Sequence, residues 1–157
     1  MKIRTLALAL LAVFSILPCS AAPYAAGERV DAFAAKDQHE TAFTLDTKGT
    51  KFLLVSHDMD TGKAANKALD AKGAAYLPGK NAVYVANIHG MPGIGRMFAL
   101  PKMRKYSHRI ILGDDANLIA KFPEQKSKVT VLKLSGGKIA SIKFWDPGSE
   151  AVDGYLK

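Results

Sequence analysis

Residues 51–60 read KFLLVSHDMD. Four consecutive apolar residues, Phe52 to Val55, run directly into Ser56, His57, Asp58, Met59 and Asp60. A short unbroken apolar run of this kind predicts a strand covered on both faces, as in the interior of a parallel sheet. In open α/β sheets, ligands collect just beyond the carboxyl ends of such strands. These ten residues therefore predict both the centre of the core and the lip of a site.

Upstream, Asp46–Thr50 is a turn with Gly49 supplying the permissive backbone. Before it, the patches Val30/Phe33 and Ala42/Phe43/Leu45 predict an N-terminal hairpin or edge strand. Downstream, Thr61 is a candidate N-cap for a helix running to about Lys72, with Ala64, Ala65, Ala68, Leu69 and Ala71 as a small-residue face and Gly73 as its stop. Leu77–Asn81 predicts a Pro-Gly turn, and Ala82–Ile88 (AVYVANI) a second buried strand. Gly90–Gly95 (GMPGIG) opens a second helix in which Ile94, Met97 and Phe98 recur at helical spacing. Pro101 is expected to break it, leaving a second piece near Lys102–Tyr106. Arg109–Leu112 predicts a third strand and Ala116–Phe122 another short one. VTVLKL and KIASIKF around Ser135-Gly136-Gly137 form the clearest hairpin, and Val152–Leu156 a frayed terminal helix. The order is β-α-β-α-β followed by an antiparallel hairpin. Parallel strands require crossover helices, so the fold class is α/β: a central mixed sheet flanked by helices, closed by the hairpin.

The first residues carry an address. Lys2 and Arg4 precede an apolar run from Leu6 to Leu17, followed by Ser20, Ala21 and Ala22, the pattern of a cleavable secretory signal over residues 1–22. The run is short for a membrane span, so no integral span is expected in the mature chain. Residues 23–157 then form one exported, periplasmic or secreted domain. The single cysteine, Cys19, falls in the leader. Its preceding Leu17-Pro18 is a poor context for lipid attachment, so cleavage leaves a mature chain without cysteine. Thiolate chemistry is thereby excluded there, and so are structural disulfides.

Composition is that of an ordinary globular protein, 48% apolar and 23% charged. The net charge of +8 includes Lys2 and Arg4, leaving +6 for residues 23–157. Basic charge on an exported protein suits an acidic periplasmic partner or an anionic ligand, and nucleic acid is not expected.

From Gly27 to about Gly148 the chain resembles the thioredoxin-like superfamily of the peroxiredoxin and TlpA type, and most resembles the small uncharacterised periplasmic YtfJ-like group. The residues carrying the likeness are Gly27-Glu28-Arg29-Val30, the Lys51–His57 strand, Val85–Asn87 with Met91-Pro92-Gly93, Met97-Phe98, and Val129–Leu132 with Gly137-Lys138-Ile139. The resemblance implies a thioredoxin-like fold. The redox cysteines of such proteins would stand near His57–Lys63, where this chain has none, and Ser127-Lys128-Val129 lacks the proline that precedes the hairpin in thioredoxins. Neither thiol-disulfide exchange nor peroxidase activity is therefore expected, and no cofactor.

Three predicted strand ends carry polar groups: Ser56/His57/Asp58 with Asp60, Asn87 with His89, and Asp114/Asp115. His57, Asp58, Asp60 and His89 are ligand types suited to a divalent metal, and His57 with Asp58 are the candidates for acid–base chemistry. A metal-dependent enzyme is thus the alternative to a binding module; in the plainer reading the carboxylates cap helices and turns. Ser56 and His57 are adjacent on a strand, point to opposite faces and cannot pair. Gly90, Gly93, Gly95 and Arg96 place a glycine-rich helix start where an anion is favoured. Lys102, Arg104, Lys105 and Arg109, with His108, form the densest basic run and a second anion candidate. Met91, Met97 and Met103 lie six apart, which keeps no single helical face and predicts core packing.

Overall fold

The computed structural model of the chain describes residues 22–157, so residues 1–21 of the predicted leader, Cys19 among them, lie outside the described residues. Its strands are β1 (Ala34–Asp37), β2 (Ala42–Thr44), β3 (Phe52–Ser56), β4 (Ala82–Asn87), β5 (Ile111–Gly113), β6 (Val129–Ser135) and β7 (Lys138–Trp145). Its helices are α1 (Met59–Asp70), α2 (Tyr76–Gly79), α3 (Gly93–Met103) and α4 (Ala116–Ala120). The strands form one mixed sheet in the order β2-β1-β5-β4-β3-β6-β7. No helix among the described residues is long and apolar enough to cross a membrane.

All five residues of β3 are buried, and it pairs parallel with β4 and antiparallel with β6. Strand pleating divides its side chains between two cores. Phe52 and Leu54 pack with Ala65 and Leu69 of α1, Leu77 of α2 and Met103 of α3. Leu53 and Val55 face the other layer, with Val30, Phe122, Leu132 and Ile139, against which Leu118 and Ile119 of α4 pack. Full burial of Leu53, Leu54 and Val55 contributes about 1.5–3 kcal/mol each.

The N-terminal residues give the predicted edge hairpin, β2 on β1 and β1 antiparallel to β5. Gln38, just past β1, continues that pairing with its side chain: Nε2 donates to the His108 carbonyl and Oε1 accepts from the Ile110 N–H, both at 2.8 Å. The C-terminal hairpin turns on Gly136 and Gly137, with φ of +56° and +81°, a two-residue turn that glycine adopts without strain.

Several elements differ from expectation. The cap of α1 is Asp58, not Thr61, because the Asp58 carboxylate accepts from both the N–H and the hydroxyl of Thr61. The Pro-Gly turn winds into α2, where Pro78 falls in a first turn whose N–H groups have no partner to lose. Pro101 does not break α3. Only two helical residues follow it, and the carbonyl it frees belongs to solvent-exposed Met97. The segment expected as a strand over Ala116–Phe122 instead starts with helix α4 (Ala116–Ala120), because Asp115 accepts from the Asn117 N–H and caps it. The terminal segment is a short 3-10 turn, Val152–Gly154, and is docked: Val152 and Leu156 are buried, and Tyr76 and Lys72 both donate to Asp153.

Candidate functional site

Parallel pairing of β3 with β4 and of β4 with β5 brings the three polar strand ends to one edge of the sheet. The structure then diverts each polar group to a local partner. His57 Nε2 lies 2.9 Å from Thr130 Oγ1, and that hydroxyl gives its only hydrogen to the Pro123 carbonyl. His57 is therefore the donor, protonated at Nε2, with its lone pair on Nδ1. Burial lowers the His57 pKa against the opposing pull of Glu124 and Asp58, so the ring is neutral at pH 7. Burial would raise Asp58, but the bonds from Thr61 and the Asp60 N–H outweigh it and hold the carboxyl below its usual range.

Asn87 ties two strand ends together, donating to the His57 carbonyl and accepting from the His89 N–H, each at 2.9 Å. Asp60 is exposed and pairs with Lys63 at 3.3 Å. Among the described residues no three His, Cys, Asp or Glu side chains gather as a metal centre. The predicted set His57, Asp58, Asp60 and His89 reaches one sheet edge without converging, because capping and strand-end bonds take its members apart. Ser56 faces α1 and bonds the Tyr84 hydroxyl at 2.9 Å, so it has no histidine partner.

The predicted anion residues are likewise committed. Arg96 bonds both carboxylate oxygens of Asp114 at 2.5 Å and also the carbonyls of Ile88 and Met91. It is a strut from α3 to the ends of β4 and β5, not a free cation. Gly90, with φ of +76°, makes the turn after β4, and Gly93 and Gly95 form the first turn of α3. Gly95 also lets Met91 lie close, since a Cβ there would meet Met91 Cγ at 3.2 Å. The basic run is dispersed: Arg104 bonds the Gln38 carbonyl, Arg109 bonds Asp37 and the Ala42 carbonyl, and His108 is buried. Lys102 and Lys105 remain exposed.

What the edge does present is a groove of about 280 Å³ between α1 and α3. Ser56 and Ala86 floor it, Met59, Met91, Phe98 and Met103 wall it, and Lys63 and Lys102 stand at its sides. Two of its walls are exposed, Met59 at 49% and Phe98 at 65%, and elsewhere on α3 Ile94 (70%) and Met97 (69%) are exposed as well. Ile94, Met97 and Phe98 do recur on one face of α3, and the structure turns that face outward, so Met97 does not pack in the core as expected. Leu100 and Met103 pack on the sheet while Arg96 anchors the same side of the helix. The spacing Arg96, Leu100, Met103 (i, i+4, i+7) is the sequence signal for that orientation. Met97 is thus a surface residue and Met91 lines the groove half-buried, while Met103 packs in the core as expected and also borders the groove.

Below the floor lies a polar layer. His108 sits between Tyr84 and Tyr106, ring centroids 6.0 and 5.7 Å away, with Nε2 3.0 Å from Asn66 Oδ1. Both Asn66 and Tyr106 also line the groove.

The architecture is thioredoxin-like. The chain is similar to the thioredoxin domain of a thiol-disulfide oxidoreductase from Bacteroides vulgatus (16% identity, 85% of this chain and 99% of that one, TM-score 0.53). It is similar also to a hypothetical protein from Sinorhizobium meliloti 1021 (20%, 85% and 85%, 0.54) and a peroxiredoxin-like protein from Aquifex aeolicus (11%, 87% and 86%, 0.54). At these identities the likeness concerns the fold alone. No protein-family model matches the chain, and no curated protein matches it.

Proposed function

We propose that this is an exported, periplasmic thioredoxin-fold binding module that has no thiol redox activity and works through the α1–α3 groove. The observation that carries the reading is the apolar surface at the sheet edge, where Met59, Met97 and Phe98 are exposed around a groove that contains no assembled nucleophile and base. Methionine side chains adapt to irregular apolar partners. Several large apolar side chains exposed around one groove are a mark of recognition. Lys63 and Lys102 add positive charge at the sides, so the fitting occupant is an extended polypeptide segment with apolar and acidic side chains. The leader-like residues 1–22 support export and a mature domain of residues 23–157.

The test uses residues 23–157 with ¹³C-labelled methionine methyls and a ten-residue peptide rich in leucine and glutamate. Binding is expected to shift the Met59, Met91, Met97 and Met103 methyl resonances together, and Phe98→Glu to weaken it more than about tenfold. Insulin-disulfide reduction by the same protein is expected to stay at background. Catalytic turnover in that assay, or peptide binding that Phe98→Glu leaves intact, sinks the proposal.

A further inference from the structure

At the opposite end of the sheet, where β3 and β4 begin and β6 ends, lies an open pocket of about 480 Å³. Five lysines line it: Lys48, Lys51, Lys80, Lys133 and Lys157. They come from the turn before β3, the loop after α2, strand β6 and the last residue of the chain, so the sequence alone never shows them as a cluster.

No carboxylate side chain lines this pocket. Asp46, the acid nearest in sequence, is turned into its own loop, accepting from the Lys48 and Gly49 N–H groups. None of the five lysines forms a salt bridge among the described residues, and Lys133 is held only by the Lys157 main-chain oxygen at 2.8 Å. Gathering five lysines with no acidic side chain among them raises the local positive potential and favours an anion in the pocket. Thr50, buried beside the lysines, makes no side-chain hydrogen bond among the described residues and offers a hydroxyl to the same space. At the lip, Asn81 holds a left-handed φ of +50°, a conformation a non-glycine residue adopts at a cost.

We infer that this pocket binds a ligand bearing clustered phosphate groups. Every cation in it is lysine, a three-donor point charge that binds phosphate, and five of them together can meet the several anionic oxygens of neighbouring phosphate groups. Phe52, the aromatic residue in the lining, is buried in the core and offers no open face for base stacking, which sets nucleic acid aside. The phosphate has two candidate sources, a soluble multiply phosphorylated molecule or a phospholipid headgroup. The site is remote from the α1–α3 groove and does not depend on it.

The experiment is calorimetric titration of residues 23–157 with sodium pyrophosphate at low and high salt, alongside sedimentation with phosphatidylglycerol vesicles. Saturable binding that falls with salt is expected, weakened roughly tenfold by the double substitution Lys51→Gln with Lys80→Gln and unchanged by Lys102→Gln with Lys105→Gln. Pyrophosphate binding without vesicle binding assigns the site to a soluble ligand; vesicle binding lost in the same double variant assigns it to a headgroup. Absence of both, or binding indifferent to Lys51 and Lys80, overturns the inference. The substituted lysines are not part of either core, and a melting curve confirms that the variants are folded.

Discussion

Asn66 Oδ1 lies 3.0 Å from Nε2 of His108, inside the layer beneath the groove, and this bond fixes a buried neutral imidazole. His108 is 1% exposed and its Nδ1 has no partner among the described residues. Burial pulls its pKa down to about 4, against the pull of the Asp70 carboxylate. The unfolded chain binds this proton near pH 6.5, so between there and about pH 4 it holds more protons than the native state. Stability therefore falls as pH drops through that window and is insensitive to His108 above it, a loss of roughly 3 kcal/mol. Urea unfolding from pH 7.5 to 4.5 should show the decline, flattened in His108→Gln. An unchanged pH slope in that variant would refute the assignment.

The Gln38 side chain acts as a backbone extension of β1. Gln38→Leu removes both of its bonds and leaves the His108 carbonyl and the Ile110 N–H in a buried setting without them. A buried group stripped of its bond costs about 1–3 kcal/mol, so the variant is expected to lose roughly 2–4 kcal/mol. Chemical denaturation at pH 7 measures it. The leucine variant should also speed amide exchange at Ile110.

Gly113 ends β5 where no side chain fits. A Cβ there would approach Ile119 Cδ1 to 2.7 Å, Val85 Cγ1 to 3.1 Å and the Ala86 carbonyl oxygen to 3.3 Å. Gly113→Ala should therefore displace α4 from the sheet and cost about 1–3 kcal/mol. Gly62→Ala is the contrast, since its nearest contact is Ser56 Oγ at 3.4 Å, an ordinary van der Waals distance. Thermal melting of the two variants should separate them clearly.

His57 tests the tautomer deduced at the sheet edge. With Thr130 taking its hydrogen bond, ¹⁵N resonances of the ring should report protonation at Nε2 and a titration below the ordinary histidine value. Thr130→Val removes the acceptor while keeping the shape, and should shift the tautomer equilibrium toward Nδ1–H. A ring already protonated at Nδ1 in the parent protein would contradict the hydrogen-bond assignment.

These residues also show what was legible in the sequence. The central strand was legible because Phe52–Val55 is an unbroken apolar run, and the C-terminal hairpin because two glycines sit between alternating strands. The α1 cap was not, since Asp58 and Thr61 both qualify and only the geometry shows that one caps by bonding the other. The site was harder still. Side-chain types at strand ends predicted convergence, but each local bond that satisfies His57, Asp58 or Asn87 removes that group from a shared centre. Long-range bonds such as Arg109 to Asp37 leave no local signature, so a basic run in sequence dissolved into separate structural contacts.

Arg96 carries the last prediction. In sequence it stands in a glycine-rich helix start and suggests anion binding; in the fold its guanidinium is spent on Asp114, Ile88 and Met91. The Asp114 bond raises the arginine pKa, and the carboxylate is correspondingly held below its usual range, so both stay charged across ordinary pH. Pro92 gives α3 no side-chain cap, which leaves Arg96 as the polar tie between this helix and the strand ends. Arg96→Met keeps the length of the side chain and removes the tie. Amide exchange should then accelerate across Gly93–Met103 while α1 and β3 keep their protection, and peptide affinity at the groove should fall because its α3 wall is no longer held. Pyrophosphate binding at the lysine pocket should be unchanged. Uniform acceleration of exchange through the whole sheet would instead make Arg96 a determinant of global stability, and undisturbed exchange in α3 would remove its role as a strut.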